Sequence, residues 1–311
     1  MPAKPLRLVV AINPSASFGK GSHVGPAVVS TLRGLGHEVT SLQEPTFLEL
    51  VASGRKAVAG KPDALIVVGG DGMVNLGVNL VAKTKVPLGI VPSGTGNDMA
   101  RGLGIPHDNT EAAIEALAAQ LRLLAGGGKP RVIDAGRIQH LDSESGQPKT
   151  TWFACAISAG FDAVVNQRAN TMTQPRGPSR YIIALLIELA RLKPIEYTIE
   201  LDGVTTVTKA ALVSIGNSVS LGGGMKITPD AKLDDGLLDV LIVQPLGRVA
   251  FMRIFPRVFT GEHVTDARVS IQRAKRIAIS APGVAAFADG ESLGTLPIDV
   301  EVVPAALRVL A

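Results

Sequence analysis

The feature that most constrains this fold is a rhythm in the first 125 residues. Short apolar runs alternate with segments of helical length. Leu6–Ile12 (LRLVVAI), His37–Leu42, Ala64–Val68 (ALIVV) and Leu88–Val91 (LGIV) read as strands. Ser22–Leu35, Thr46–Ala59 with Thr46 as N-cap, Gly72 to about Lys83, and a stretch reaching about Ala125 read as helices. Strands that alternate with helices make a parallel sheet covered on both faces. In such a sheet ligands gather at the carboxyl ends of the strands. The unusual loops of this chain all fall at those ends.

Residues Gly126-Gly127-Gly128-Lys129-Pro130 mark a change of texture. Beyond them strands dominate: Arg131–Gln139, Trp152–Ala159, Tyr197–Leu201, Ala210–Gly216, Leu237–Val243, Arg276–Ser280 and Ile298–Val303. Closely spaced strands with few helices predict an antiparallel sandwich or barrel. Helical patterns interrupt it at about Ser179–Leu192 and Arg248–Phe259. The expected division is therefore residues 1–130 and 131–311, with the C-terminal segment free to pack back on the first domain.

Composition narrows the classes. A chain of 311 residues with 46% hydrophobic residues buries too much apolar surface to be disordered. The net charge of +4 does not by itself imply nucleic-acid binding. It suits an anionic ligand or membrane surface. One cysteine, Cys155, excludes an internal disulfide framework and a cysteine-rich zinc site; within its apolar run it reads as a buried small hydrophobe. The five histidines show no metal-ligand spacing. No signal-peptide pattern opens the sequence, and no run reaches the length of a membrane span. A soluble cytoplasmic protein is expected.

Three loops carry chemistry. Gly69-Gly70-Asp71-Gly72 follows a buried strand and opens a helix. Glycines let the backbone approach a phosphate, and a helix start favours an anion. An Asp inside such a loop repels a phosphate unless a cation lies between them. A tight turn capped by the Asp is the plainer alternative. The second loop, Pro92-Ser93-Gly94-Thr95-Gly96-Asn97-Asp98, combines glycine, hydroxyl, amide and carboxylate after the next strand; an Asn-Asp helix cap is its alternative. The third, Asn13 to Gly21 (NPSASFGKG), departs from a Walker A loop in lacking a leading glycine and in having Gly21 after the lysine. A solvated strand-to-helix loop remains open for it.

These blocks, NPSASFGKG, VVGGDGMVN and PLGIVPSGTGNDMARGLGIP, recur in order with Ala288–Glu291 (ADGE) far downstream. With them stand VIDAG (Val132–Gly136), SAGFDA (Ser158–Ala163) and GGGMKITPDAKLDDGLLDV (Gly222–Val240). Over essentially its whole length the chain resembles the diacylglycerol kinase catalytic family, particularly its soluble bacterial lipid-kinase branch. The resemblance implies an N-terminal α/β nucleotide domain like that of phosphofructokinases and NAD kinases. It also implies a C-terminal β-sandwich domain, with ATP and lipid meeting in the cleft between them.

The resemblance also implies site residues. Asn13, Pro14, Ser15, Ala16 and Ser17 would border the nucleotide, while Gly69, Gly70, Asp71, Gly72, Met73, Val74 and Asn75 would cradle its phosphates. Gly94, Thr95 and Asn97 would also touch ATP. Asp71, Asp98 and Asp134 would surround a catalytic Mg²⁺ and its waters, and Glu291 would be the general base. A second, structural Mg²⁺ would sit on the Asp235 side chain and the Lys232 and Leu237 carbonyls. Three places depart from the family pattern: Met73 stands where Thr is usual, Leu76 where Glu is usual, and Ala16-Ser17 where the first loop commonly has Ser-Gly.

The expected function is an ATP- and Mg²⁺-dependent lipid kinase that converts diacylglycerol to phosphatidic acid. The alternatives are a kinase for phosphatidylglycerol, a sphingoid base or ceramide, an NAD-kinase-like enzyme, or a catalytically weak nucleotide- or lipid-binding regulator. Expected partners are a lipid at a membrane surface, reached by peripheral contact with the membrane's inner face, and no nucleic acid. A homodimer is compatible with the sequence. Arg248–Phe259 (RVAFMRIFPRVF) interleaves apolar residues with arginines, which fits either a membrane-surface segment or a helix packed on the sandwich.

Overall fold

The structure is a computed structural model. It describes residues 4–13, 23–142, 145–160 and 194–311, with 165, 168, 171–172, 174, 183–184 and 187–188 between them. The chain forms two compact units, Met1–Ala135 with Pro304–Ala311, and Gly136–Val303.

The first unit follows the alternating rhythm. Its elements are β1 (Arg7–Ile12), α1 (Val24–Gly34), β2 (Glu38–Leu42), α2 (Phe47–Ala59), β3 (Ala64–Gly69), α3 (Asp71–Val81), β4 (Leu88–Pro92), α4 (Asp98–Leu103) and α5 (Thr110–Ala125). The strands are parallel in the order β2-β1-β3-β4. Val309, from the end of the chain, lies parallel beside Leu88. β3 reads ALIVVG and is buried throughout, as a central parallel strand must be. β2 (EVTSL) is only partly buried and closes the edge.

Local signals explain the helix limits. Thr46 and Glu49 form a reciprocal capping box at the start of α2. The Asn109 side chain accepts the Ala112 N–H at the start of α5. α3 is almost entirely buried, and Gly77 allows it to press on the sheet. A Cβ there would lie 2.7 Å from Leu88 and 2.9 Å from Val67.

The second unit begins within β5 (Arg131–Leu141). It continues with β6 (Pro148–Phe153), β7 (Ala156–Gly160), β8 (Ile195–Leu201), β9 (Val204–Ala210), β10 (Leu212–Gly216) and β11 (Leu238–Val243). After a helix, α6 (Arg248–Ile254), come β12 (Val269–Ala274), β13 (Arg276–Ser280), β14 (Ala285–Ala288), β15 (Glu291–Thr295) and β16 (Ile298–Val309). One sheet has the order β12-β11-β10-β7-β14-β15. Facing it are β16, β13, β8 and β9 in antiparallel succession. The core takes Tyr197, Ile199, Ile277 and Ile279 from one sheet and Ile157, Val213, Ile215 and Val240 from the other. The Tyr197 hydroxyl, fully buried, donates to the Ala159 carbonyl at 3.2 Å.

Three details differ from the expected elements. The apolar run around Trp152–Ala159 is two strands, β6 and β7, because Ala154 and Cys155 turn the chain between them. β9, β12, β14 and β15 were not expected; β9 is nearly all exposed, so no apolar face signals it. The expected helix Arg248–Phe259 is α-helical only to Ile254, then tightens to a 3₁₀ turn, Phe255–Val258, that contains Pro256. The expected helix Ser179–Leu192 falls mostly outside the described residues.

Candidate functional site

In the first unit the loops after β3 and β4 are joined backbone to backbone. Ser93 N–H donates to the Gly69 carbonyl at 2.9 Å. A Cβ at Gly94 would lie 2.4 Å from the Gly70 Cα, so neither strand end tolerates a side chain there. Asn97 then turns the second loop in the left-handed region, at φ 52°. Its side chain accepts the Gly94 N–H at 3.0 Å and donates to the Gly94 and His107 carbonyls at 2.9 and 3.1 Å. Asn97 is thus a scaffold residue whose amide is spent within the loop.

Asp71 ties the two loops together. Its carboxylate accepts the Asp98 N–H at 2.8 Å and the Asn97 N–H at 3.0 Å. Both donors open α4, where a helix start favours a negative charge. The Asp98 carboxylate lies close by: a Cβ on Gly96 would be 2.4 Å from Asp71 Oδ2 and 3.4 Å from Asp98 Oδ2. Burial, and then the Asp98 charge, push the Asp71 carboxyl above the usual range, against the pull of the backbone donors. A cation beside this pair would relieve both effects.

Asn75 is buried on α3, and its Nδ2 has no hydrogen-bond partner among the described residues, although its Oδ1 accepts from Asn79. Thr95 and Gly94 are exposed, and Gly70 and Gly72 half-buried. Asn13 follows β1 and donates its N–H to the Val68 carbonyl at 3.3 Å. Pro14, Ser15, Ala16 and Ser17 lie outside the described residues. Met73, Val74 and Leu76 are buried. A Cβ on Gly69 would lie 2.4 Å from the Met73 side chain, so Met73 packs against the strand end.

Asp134, also buried, accepts the Ala305 N–H at 2.8 Å, where Ala305 holds φ 54°. It anchors the returning chain end. Among the described residues no group of three or more His, Cys, Asp or Glu is close enough to hold a metal ion directly. The structure therefore pairs Asp71 with Asp98 and does not bring Asp134 into direct ligand contact with them.

In the second unit, Glu291 is the exposed first residue of β15 and pairs with Ala288 of β14. The two residues between them, Asp289 and Gly290, have φ 47° and 85°, as a tight two-residue hairpin turn requires. Asp289 also does a second task. Its buried carboxylate accepts the N–H groups of Ala154, Cys155 and Ala156 at 2.8, 2.9 and 2.9 Å. Asn217 grips the same segment, donating its Nδ2 to the Ala154 carbonyl at 2.9 Å and its N–H to the Cys155 carbonyl at 2.8 Å. Sequence reasoning passed over Asp289 and Asn217; Asp-Gly signalled only a turn.

The loop before β11 collects acidic groups. Asp235 is exposed and accepts the Leu237 N–H at 3.1 Å; Gly236 turns at φ 73° and Lys232 is exposed. Buried Asp239 pairs with Arg273 at 3.1 Å. Burial raises the Asp239 carboxyl, Arg273 lowers it, and the charges of Asp235 and Asp230 raise it further. Negative charge is therefore in excess around this loop.

Comparison with known proteins identifies the family. The family described as "Diacylglycerol kinase catalytic domain" matches residues 7–126, and "YegS C-terminal NAD kinase beta sandwich-like domain" matches 155–311. A diacylglycerol kinase of Mycobacterium tuberculosis is 38% identical over 305 residues, covering 98% of this chain and 94% of the relative. The chain belongs to the diacylglycerol kinase family. A more distant member, the diacylglycerol kinase of Bacillus subtilis, is 27% identical over 267 residues, covering 84% of this chain and 82% of its own length. A putative diacylglycerol kinase structure from Bacillus anthracis matches with TM-score 0.74 at 22% identity, covering 98% of this chain and 94% of its own. Yeast NADH kinase, solved with NADH, matches with TM-score 0.56 at 14% identity, covering 98% and 83%. These two likenesses show the fold, an α/β unit with a β-sandwich, that the family shares with NAD kinases. Among the described residues no helix is long and apolar enough to cross a membrane.

Proposed function

We propose that this member of the diacylglycerol kinase family transfers the γ-phosphate of ATP to the free hydroxyl of diacylglycerol, giving phosphatidic acid. The observation that carries the reading is the Asp71–Asp98 pair, Asp71 half-buried and Asp98 buried, locked across two glycine-rich strand ends. A carboxylate pair beside bare backbone is the donor set for a divalent cation with phosphate oxygens. The Asn75 Nδ2, without a hydrogen-bond partner among the described residues, is a ready donor to a phosphate oxygen. The two units then serve as nucleotide unit and lipid unit.

In this reading the backbone from Gly69 to Asn75 cradles the phosphates, Asn13 to Ser17 border the nucleotide, and Gly94 and Thr95, held in place by Asn97, form the facing wall. Asp71 and Asp98 would hold Mg²⁺, and Asp134 would act on it indirectly. Bound Mg²⁺ supplies neutralisation of the charge that develops on the transferred group. The lipid hydroxyl oxygen attacks the γ-phosphorus, the bond to the β-phosphate oxygen breaks, and ADP leaves. Glu291 takes the hydroxyl proton. Asp235, with the Lys232 and Leu237 carbonyls, would hold a second Mg²⁺, where the negative charges around Asp239 would favour a cation. Diacylglycerol resides in bilayers, so the enzyme works at a membrane surface.

The test is transfer from γ-labelled ATP to a panel of diacylglycerol, ceramide, a sphingoid base, phosphatidylglycerol and NAD. Label in phosphatidic acid alone is expected. Preferential transfer to another lipid alcohol or to NAD, or nucleotide binding with no transfer at all, overturns the reading.

A further inference from the structure

The segment Arg248–Phe259 of the second unit has two opposite faces. Phe251 and Ile254 are buried, and Phe255 stacks on Phe251 with ring centroids 5.6 Å apart. They fasten α6 and its 3₁₀ turn to the unit. The other face is apolar and largely exposed, although the Phe259 ring meets Phe255 edge-on at 6.1 Å. Val249 is 69% exposed, Met252 49% and Phe259 50%, and Pro256 is exposed between the last two. Their spacing, i, i+3, i+7 and i+10, puts all four on one stripe. An isolated exposed apolar residue is ordinary, but four in line on one short segment are not.

Arg248 and Arg253, both exposed, flank the stripe, Arg248 while also engaged within the chain. Arg257 turns aside to the Thr265 hydroxyl. From Gln244 to Thr260 there is no acidic residue. The nearest acids on the packed 3₁₀ turn Glu262–Thr265 and its end are Glu262, which is exposed, and Asp266, which is occupied by Arg268.

We propose that this stripe is the surface by which the enzyme docks on an anionic phospholipid bilayer, with Val249, Met252, Pro256 and Phe259 entering the headgroup boundary and Arg248 and Arg253 facing lipid phosphates. The proposal rests on the lipid-kinase reading and adds to it the place of contact. Charge selects the occupant. An apolar strip rimmed by arginines complements an interface of acyl chains under anionic headgroups. A second copy of the chain across a two-fold axis would set this arginine-rimmed face against itself, like charge on like charge.

The test measures co-sedimentation of the full chain with vesicles of phosphatidylcholine, with and without phosphatidylglycerol. The unaltered chain is expected to bind the anionic vesicles more tightly than the neutral ones. At about 1 kcal/mol per arginine near such a surface, Arg248→Gln with Arg253→Gln weakens binding to anionic vesicles about 25-fold and leaves neutral vesicles unaffected. Met252→Asp with Phe259→Asp abolishes binding to both. Val207→Asp, at an exposed apolar site on β9, changes nothing. Melting curves matching the unaltered chain confirm that the exposed substitutions leave the fold intact. Patch variants that bind like the unaltered chain, equal binding to neutral and anionic vesicles, or a change of oligomeric state in the patch variants overturn the docking surface. Turnover of a short-chain diacylglycerol dissolved as monomers separates the two readings. The patch variants keep it if docking is their only defect. Its absence in the unaltered chain sinks the kinase reading without touching the vesicle result.

Discussion

The Asp71 carboxylate caps the backbone of Asp98 at 2.8 Å, so two acidic side chains that repel each other are held together by main-chain hydrogen bonds. This separates two tasks that one residue performs. Asp71→Asn turns an amide N–H toward one of the two backbone donors and leaves that donor unmet. It costs about 1–3 kcal/mol of stability, besides the loss of a cation ligand. Asp98→Asn removes charge without breaking the bridge. Both variants are expected to lose at least about a hundredfold in kcat, in line with removing one electrostatic stabiliser. Only Asp71→Asn should melt markedly lower. Parallel melting and transfer assays check this, and a high-activity Asp98→Asn enzyme would remove it from the metal site.

Gly94 makes a sharper steric case. Its missing side chain lets the two strand ends meet, and an added methyl would come within 2.4 Å of the Gly70 Cα. That neighbour is backbone and cannot rotate away. Gly94→Ala is expected to destabilise by about 1–3 kcal/mol, as overpacking does, and to abolish ATP binding by parting the loops. Calorimetric titration with ATP and Mg²⁺ measures the loss; nucleotide affinity equal to the unaltered chain would show that the loops need not touch.

Much of this was legible in the sequence, for physical reasons that differ along the chain. β1, β3 and β4 declare themselves because a buried parallel strand must be continuously apolar. Thr46 marks a helix start because its hydroxyl is needed there. The partnership of Asp71 with Asp98 was legible only as two loops on neighbouring strands; the hydrogen bonds that bridge them join residues 27 apart in sequence. The break at Ala154–Cys155 was hidden. Its residues are apolar and strand-like, and the cause of the break is Asp289, 134 residues away from Cys155. β14 and β15 consist largely of alanine, serine and glycine, and their sheet is set by partners rather than by propensity.

Asp289 and Glu291 sit on one hairpin and are expected to fail in opposite ways. Asp289→Ala leaves three buried N–H groups without their acceptor and removes a residue suited to φ 47°. A loss of about 3 kcal/mol or more is expected, from unmet donors alone. Glu291 is exposed, and Glu291→Gln should stay within about 0.5 kcal/mol of the unaltered chain. Its kcat should fall about 10²- to 10⁴-fold, the range for a lost general base, with ATP affinity unchanged. Denaturant titration beside transfer kinetics tests the pair. Near-normal turnover in Glu291→Gln would end its candidacy as the base.

Asp202 supplies a pH dependence. It turns the β8–β9 hairpin at φ 49°, and its carboxylate accepts the N–H groups of Arg276 and Lys275 at 2.8 and 3.0 Å. Those backbone hydrogen bonds, with the Arg276 one foremost, hold its carboxyl below the ordinary value of 3.8. A carboxylate lowered in the folded state stabilises fully above its unfolded value, and that contribution fades as the pH drops through the folded one. Asn tolerates the same backbone angle but carries no charge. Asp202→Asn is therefore expected to melt lower than the unaltered chain at pH 7, with the gap narrowing below about pH 4. A gap that stays constant down to pH 2 would mean that the charge contributes nothing.

The loop before β11 allows the second metal to be tested apart from catalysis. Asp235 is exposed and, among the described residues, bonded only across its own turn, to Leu237, so losing it should disturb little when no metal is bound. With the charge of Asp235 and Asp230 pressing on buried Asp239, a cation on this loop relieves repulsion in the folded state alone. A ligand at a hundred times its dissociation constant stabilises by about 2.7 kcal/mol. Saturating Mg²⁺, without nucleotide, is expected to raise the melting temperature of the unaltered chain by several degrees. Asp235→Asn should melt like the unaltered chain in chelator and show no such rise. The catalytic pair is controlled by Asp98→Asn, which should keep most of the Mg²⁺-induced rise. A rise that survives in Asp235→Asn and vanishes in Asp98→Asn would transfer the whole effect to the first unit.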